Sequence, residues 1–514
     1  MAVIEPAAYW QRLSVSPPGA LAVVAALLVL YIASTVIYRI YFHPLARFPG
    51  PFLGKCSELL IWRSILKADR NLMIDRLLKQ YGSPLRLATN QLVFDDARSW
   101  VDIYGQSPNP CLKDPALWES FTAVGTVNVL NAVDRHYHAR VRRLLSHNFS
   151  LKGILRFERL IADKIEDYMN LVFSPAADSG ETMNVYLRVQ EHYLDIISHL
   201  SFGTSFNCIK GENPNTLHDV DHFLTVVPAT SLFPGIRYIP LPTLREGFRA
   251  VERLKTFGRT HVSNFIDRLE KTTADDAIAG GTSENSFLGN LVKSEDAETG
   301  TRLSFDELVD NAIIFLVAGS GTSAMTTTYF IWECTRNISV RDKLVQEIRT
   351  AFPDRNVFPT YEKASRLPLL ASMIQETLRL WGPLNIATQR LSPGRVLGGH
   401  FVPKNVVVST AAHTTARDPK VFPQPDVFMP ERWIDATPYM RVMSRPFQTG
   451  PRNCVGRHLA EVALTMTLTR LFQLFDLEID SGMPEEDMQL RDRGTMGPKG
   501  ERLLVKVARA QSCD

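Results

Sequence analysis

The chain has 514 residues, 45% of them hydrophobic and 22% charged, with a net charge of +3. That length buries a large core, and the composition argues against wholesale disorder or a multi-span membrane protein. The small charge without a long basic run excludes nucleic acid as an expected partner, and six sparse cysteines without Cys-x-x-Cys spacing exclude a disulfide framework or zinc site.

The first element is an uncharged run from Gly19 to Tyr38, dominated by Ala, Val, Leu and Ile. As a helix it rises about 30 Å, the thickness of a hydrocarbon core, so 19–38 is expected to be a transmembrane anchor. A cleaved signal peptide would have a shorter apolar region behind a basic start. Here Glu5 and Arg12 precede the run, and Arg39, Arg47 and Lys55 follow it. The positive-inside rule then puts residues 1–18 in the lumen and the bulk of the chain in the cytosol. Tyr9 and Trp10 are expected at one interface, and Tyr38, Tyr41 and Phe42 at the other. The prolines between His43 and Pro51 stiffen the chain, so 39–52 reads as a hinge leading to one domain over 53–514.

Periodicity predicts helices over 135–149, 155–173, 246–270 and 304–336, and strands over 84–94, 384–391, 400–409 and 502–508. Polar stretches near 174–182, 207–216 and 272–286 read as loops. The expected fold class is mainly α with small β-sheets. Ser304 and Glu307 form a capping box that starts a helix about 45 Å long. Gly319 and Gly321 sit in its middle, where each costs about 1 kcal/mol relative to Ala, so a close approach to that backbone is expected. The spacing Gly319-x-Gly321-x-x-Ala324 imitates a dinucleotide fingerprint. A helix rather than a strand precedes it, however, and no chain of βαβ units surrounds it.

The strongest motif holds Phe447, Gly450, Arg452, Cys454 and Gly456. Helical periodicity begins just after Cys454, so free N–H groups and the helix dipole favour a thiolate there. Gly450 and Gly456 allow a tight turn and approach to a flat ligand, and Arg452 supplies a fixed charge suited to a carboxylate. Thiolate, close-approach loop and carboxylate clamp together describe a haem pocket, with Cys454 as the axial ligand of the iron.

With these residues in view, the chain resembles a cytochrome P450 of the membrane-bound type similar to those of filamentous fungi. The resemblance runs from the anchor and Phe48-Pro49-Gly50-Pro51 to the C-terminal strands, and implies the cytochrome P450 fold with haem b as cofactor. Glu376 and Arg379 resemble the family's E-x-x-R pair, and Arg432 in Pro430-Glu431-Arg432-Trp433 completes the implied structural triad. Arg390, and Arg142 four residues after His138, resemble the residues that hold the haem propionates. His138 replaces the usual tryptophan, which implies a smaller, pH-sensitive contact. Arg140 and Arg143 on the same helix are expected to face an acidic redox partner or solvent.

Ala318-Gly319-Ser320-Gly321-Thr322-Ser323 resembles the oxygen-activation motif, but glycine stands at the usual acid position. The implied proton relay therefore falls to Thr322, Ser320 or Ser323 with water. Phe121, Phe315 and Ala318 are implied walls of the substrate pocket. Phe223 to Leu244 resembles a substrate-access region that dips into the membrane, a buried loop being the alternative. The implied activity is a monooxygenase acting on a lipophilic secondary metabolite with O2. Its electrons would come from NADPH through a separate NADPH-cytochrome P450 reductase, at the endoplasmic reticulum membrane. The alternatives are a haem-thiolate isomerase or dehydratase that does not activate O2, and a non-catalytic haem sensor.

Overall fold

The computed structural model describes residues 17–232, 234–271, 286–385, 388–492 and 494–511. Tyr9, Trp10, Phe233, Cys513 and nearly all of the expected loop 272–286 lie outside the described residues, as does 1–16 of the expected lumenal segment.

The apolar run forms helix α1 (Pro17–Ile37), which continues as a π-turn over Tyr38–Phe42. The span Ala20–Phe42 is long and apolar enough to cross a membrane, and none of its apolar window is buried. It is a candidate membrane anchor. The chain then folds onto the body. Arg86 N–H donates to the Pro49 carbonyl at 2.7 Å, and its buried guanidinium donates to the carbonyls of Arg39 at 2.8 Å and Thr89 at 2.9 Å. A Cβ on Gly50 would lie 2.2 Å from the Arg86 carbonyl oxygen, so only glycine permits this approach.

One five-stranded sheet contains β1 (Leu85–Ala88), β2 (Gln91–Phe94), β3 (Leu112–Lys113), β4 (Arg390–Leu391) and β5 (Val407–Thr410). Their order is β1-β2-β5-β4-β3, with only the β2–β5 pair parallel. A smaller sheet joins Met183–Asn184, Leu504–Arg509 and Phe475–Ile479.

Four expectations need correction. The strand expected over 84–94 is two, Leu85–Ala88 and Gln91–Phe94, paired antiparallel across a turn at Thr89 and Asn90. Among the described residues, the strand expected over 384–391 pairs only at Arg390–Leu391, because nearby polar groups are committed elsewhere: the Pro383 carbonyl accepts from Met496 N–H at 2.8 Å, and Asn385 turns back to the Leu380 carbonyl. The strand expected over 400–409 is two strands, His400–Val402 and Val407–Thr410, separated by Asn405 at φ +63°. The loop expected near 174–182 begins as a helix, Ser174–Ser179, which Gly180 ends in the left-handed conformation.

The helices that frame the site are α2 (Arg135–Ser146), α3 (Val185–Phe202), α4 (Asn215–Leu232), α5 (Pro242–Lys271), α6 (Phe305–Arg336), α7 (Pro368–Trp381) and α8 (Arg457–Leu474). Both hydrogen bonds of the Ser304–Glu307 capping box are present at the start of α6. Its apolar side chains point outward on every face because α3, α5, α7 and α8 all pack against it. Phe223 to Leu244 is not a buried loop: it comprises the end of α4, a 3-10 turn over Pro234–Tyr238 and the start of α5, with Tyr238 and Leu241 exposed.

Candidate active site

Cys454 precedes α8, whose N-cap is Gly456. The Cys454 N–H donates to the Phe447 carbonyl at 3.0 Å, which closes the loop that presents the sulfur. The surrounding protein raises the thiol pKa through desolvation, opposed by the Gly456 N–H and by the positive charges of Arg142 and Arg457. Yet Cys454 is exposed, so it is accessible to a ligand rather than packed in a core. Gly450 has φ +73°, and a Cβ there would fall 2.0 Å from the Tyr104 carbonyl oxygen. Its close approach is thus to the helix Ala97–Tyr104. At Gly456 an added Cβ would meet only Cys454 Sγ, at 3.9 Å.

Beside this loop lies a cavity of about 470 Å³ whose lining includes Tyr104, His138, Arg142, Arg390 and Arg452. Arg142 donates to the Asn453 carbonyl at 2.8 Å and to Asn453 Oδ1 at 2.6 Å, tying α2 to the cysteine loop. Arg452 donates to the carbonyls of Ala132 and Val133. Burial and then Arg390 push its pKa down to about 10. Arg390 is buried, with its guanidinium 5.3 Å from the Tyr104 ring centroid and 5.8 Å from that of Trp118.

Lys113 was invisible to sequence reasoning. It is buried, its ammonium lies 4.0 Å from the Trp118 ring centroid, and it donates to the Leu130 carbonyl. Burial, then Arg390 and Arg452, hold its pKa well below the ordinary lysine value. Among the described residues none of Lys113, Arg142, Arg390 or Arg452 has a carboxylate in ion-pair contact. Buried like charges without an anion are costly, so the donor set fits a doubly anionic group entering beside Cys454. Haem, with two propionates and an iron that takes thiolate, matches it.

His138 requires a correction. Burial first, then Arg452, Lys113, Arg142 and Arg390, push its pKa down to about 3, so it is neutral at physiological pH rather than pH-sensitive there. Arg140 and Arg143 are also committed within the chain. Arg140 pairs with Glu307 at 2.8 Å, and Arg143 pairs with Asp296 at 3.0 Å and Glu298 at 2.9 Å.

On α6, Ala318 is exposed between two buried stretches, so the helix presents it to an internal space. Thr322 is partly exposed and its hydroxyl donates to the Ala318 carbonyl at 2.8 Å, leaving its lone pairs to accept. Ser320 is buried with its hydroxyl on the Leu316 carbonyl at 2.8 Å, and Ser323 is buried as well. The two mid-helix glycines differ. A Cβ on Gly319 would lie 2.8 Å from Ile197 Cγ1, so α3 is what approaches there. Around Gly321 nothing lies within 4 Å of an added Cβ. Phe315 is buried against Phe149 at 5.3 Å, while Phe121 is half-buried against Trp118 at 5.6 Å.

Glu376, Arg379 and Arg432 come together. Arg379 grips the Glu376 carboxylate through Nε at 2.8 Å and an Nη at 2.7 Å, and Arg432 Nε joins at 3.1 Å. Trp433 Nε1 and the Met429 N–H complete the shell at 2.8 and 2.9 Å. Every oxygen of the buried carboxylate is therefore satisfied, as a buried charge requires.

A family model described as Cytochrome P450 matches residues 108–505. The chain belongs to the cytochrome P450 family. The averantin hydroxylase of Dothistroma septosporum is 31% identical over 463 residues, 88% of this chain and 84% of that protein. The cytochrome P450 monooxygenase tazI of Aspergillus terreus is 30% identical over 95% of this chain and 98% of that protein. Among solved structures, the haem domain of cytochrome P450DA superposes with a TM-score of 0.73 at 17% identity, covering 88% of this chain and 95% of that one. This last likeness shows the fold. The P450 relatives are named monooxygenases of fungi, and the chain is accordingly an oxygen-incorporating oxidoreductase of the haem-containing P450 class.

Proposed function

We propose that this P450 inserts one oxygen atom of O2 into a lipophilic small molecule of secondary metabolism, with electrons passed from NADPH by a separate cytochrome P450 reductase. The observation that carries this reading is an accessible Cys454 on the loop beside a cavity lined by Arg142, Arg390 and Arg452, with buried Lys113 opposite Arg390 and, among the described residues, no carboxylate in ion-pair contact with any of the four. Haem, when bound, supplies dioxygen activation and attack on an unreactive C–H bond, and the thiolate ligand favours O–O cleavage. The chain's residues do the rest. Cys454 holds the iron, and Lys113, Arg142, Arg390 and Arg452, with neutral His138, hold the propionates. Thr322 accepts a hydrogen bond from an ordered water and passes protons with it, in the absence of a neighbouring acid. Ala318 and Phe121 bound the substrate. Glu376, Arg379 and Arg432 keep the core of the haem domain folded.

The candidate anchor would place the chain on the endoplasmic reticulum membrane with 53–514 in the cytosol. The bonded segment 39–52 would set the domain's angle to the bilayer. The test is reconstitution in vesicles with a P450 reductase, NADPH and a panel of lipophilic compounds. Product formation that needs both NADPH and reductase supports the reading. Full turnover without either contradicts it and favours an isomerase or dehydratase, which Gly321 at the acid position would suit.

A further inference from the structure

The segment 119–131, between the short helix Pro115–Trp118 and α2, has no regular structure, yet it is held by one buried carboxylate on α6. Asp310 accepts from Thr122 Oγ1 at 2.6 Å, Ala123 N–H at 2.9 Å, Thr126 Oγ1 at 3.2 Å and Asn128 Nδ2 at 3.5 Å. Its neighbour Asn311 accepts from Val129 N–H at 3.0 Å and donates back to the Glu307 carbonyl at 2.8 Å. Both residues are buried, and among the described residues no cation pairs with Asp310. A buried carboxylate is costly unless hydrogen bonds offset it. Here all four donors, three side chains and one backbone N–H, come from one loop, so the offset is realised only when that loop is folded onto α6. Burial raises the Asp310 pKa, and all four donors oppose that rise.

The loop so fastened carries Phe121. Asn128 Nδ2, besides reaching Asp310, donates to the Phe121 carbonyl at 2.9 Å. Phe121 leans on Trp118, whose Nε1 donates to the Gln389 carbonyl at 3.2 Å beside the cation cluster. One end of the segment is therefore fixed at Arg390 and Lys113, the other at Asp310. Ala318 lies eight residues further along α6, about 12 Å by helical rise. The clamp thus ties the loop that carries Phe121 to the same helix that presents the exposed Ala318.

We propose that Asp310, with Asn311, is a positioning pair that fixes the size of ligand admitted over the haem, by holding the 121–129 loop to α6. This rests on the reading of Phe121 as a substrate wall. The test uses the full-length holoenzyme and two iron-binding probes, imidazole and 4-phenylimidazole, titrated by the shift of the haem Soret band. The variants are Asp310→Asn, Thr122→Val with Thr126→Val, and Phe121→Ala. The amide of Asp310→Asn offers one oxygen where two now accept, and the double valine variant removes two donors while leaving the carboxylate. The ratio of the two affinities is expected to change by about threefold or more in both clamp variants, in the same direction as in Phe121→Ala. A purely structural loss lowers both affinities together and leaves the ratio unchanged. An unchanged ratio in the clamp variants with a changed one in Phe121→Ala overturns the proposal alone. An unchanged ratio in Phe121→Ala overturns the wall reading and the proposal with it. Should Asp310→Asn fail to bind haem, the double valine variant decides.

Discussion

Lys113 and Arg390 are register partners across the antiparallel β3–β4 pair, so two cations stand directly opposite each other in a buried place. Like charges in this relation are destabilising, more so when burial strips their water. An anion between or beside them relieves the strain and lets both groups keep their charge, which would tie the stability of this corner to the group it binds.

Lys113→Met is therefore expected to leave the haem-free protein equally or more stable, and to weaken haem retention roughly tenfold or more, the loss of one hydrogen bond to a charge. Differential scanning fluorimetry of the haem-free form, together with haem transfer to apomyoglobin, measures the two effects. Slower haem loss in the variant would contradict the assignment.

Glu376→Ala leaves Arg379, fully buried, without its counter-charge. A cost of about 3–5 kcal/mol is expected, enough to prevent accumulation of folded holoprotein. Arg432→Ala leaves Glu376 still held by Arg379, Trp433 and the Met429 N–H. Its yield of holoprotein should be intermediate, and comparing the two yields checks the order.

At the oxygen-activation motif, Gly321 has open space where a side chain would begin. Gly321→Asp is expected to fold normally and to lower the hydrogen peroxide released per NADPH consumed. Thr322→Ala should raise it. Peroxide assays under reconstituted turnover decide both. Gly319→Ala, by contrast, should destabilise the fold through contact with Ile197.

The depressed pKa of His138 carries a pH signature. Its folded value, about 3, lies below its ordinary 6.5, so between those values the unfolded chain binds the extra proton. Stability is full above about pH 6.5 and falls as pH drops, by up to roughly 1.4 kcal/mol per pH unit for one histidine. His192, pushed by burial to about 3, contributes in the same sense. His138→Phe should flatten the slope of urea-unfolding free energy between pH 6.5 and 5. An unchanged slope would place His138 in water.

The parts of this site carried by contiguous residues were legible in the sequence: the loop presenting Cys454, the Ser304–Glu307 cap, and the i,i+3 pair Glu376–Arg379. What escaped depends on pairings between distant segments. Lys113 gains its meaning only when β3 lies on β4, 277 positions away, and Asp310 only when loop 122–128 folds over α6. The same reason explains the reassignment of Arg140 and Arg143, whose acidic partners lie more than 150 positions further along the chain. The close approach expected at Gly319 and Gly321 is made at Gly319 by Ile197, whereas nothing lies within 4 Å of a Cβ at Gly321. Periodicity cannot distinguish these uses, since a buried helix accepts neighbours on every face.

The most direct test of the central claim is the carbon monoxide difference spectrum of dithionite-reduced membranes carrying the wild-type chain or Cys454→Ser. The Soret band of a thiolate-ligated haem is expected in the wild type and its loss in the variant. If both chains bind haem and give the same band, Cys454 is not the ligand and the account fails.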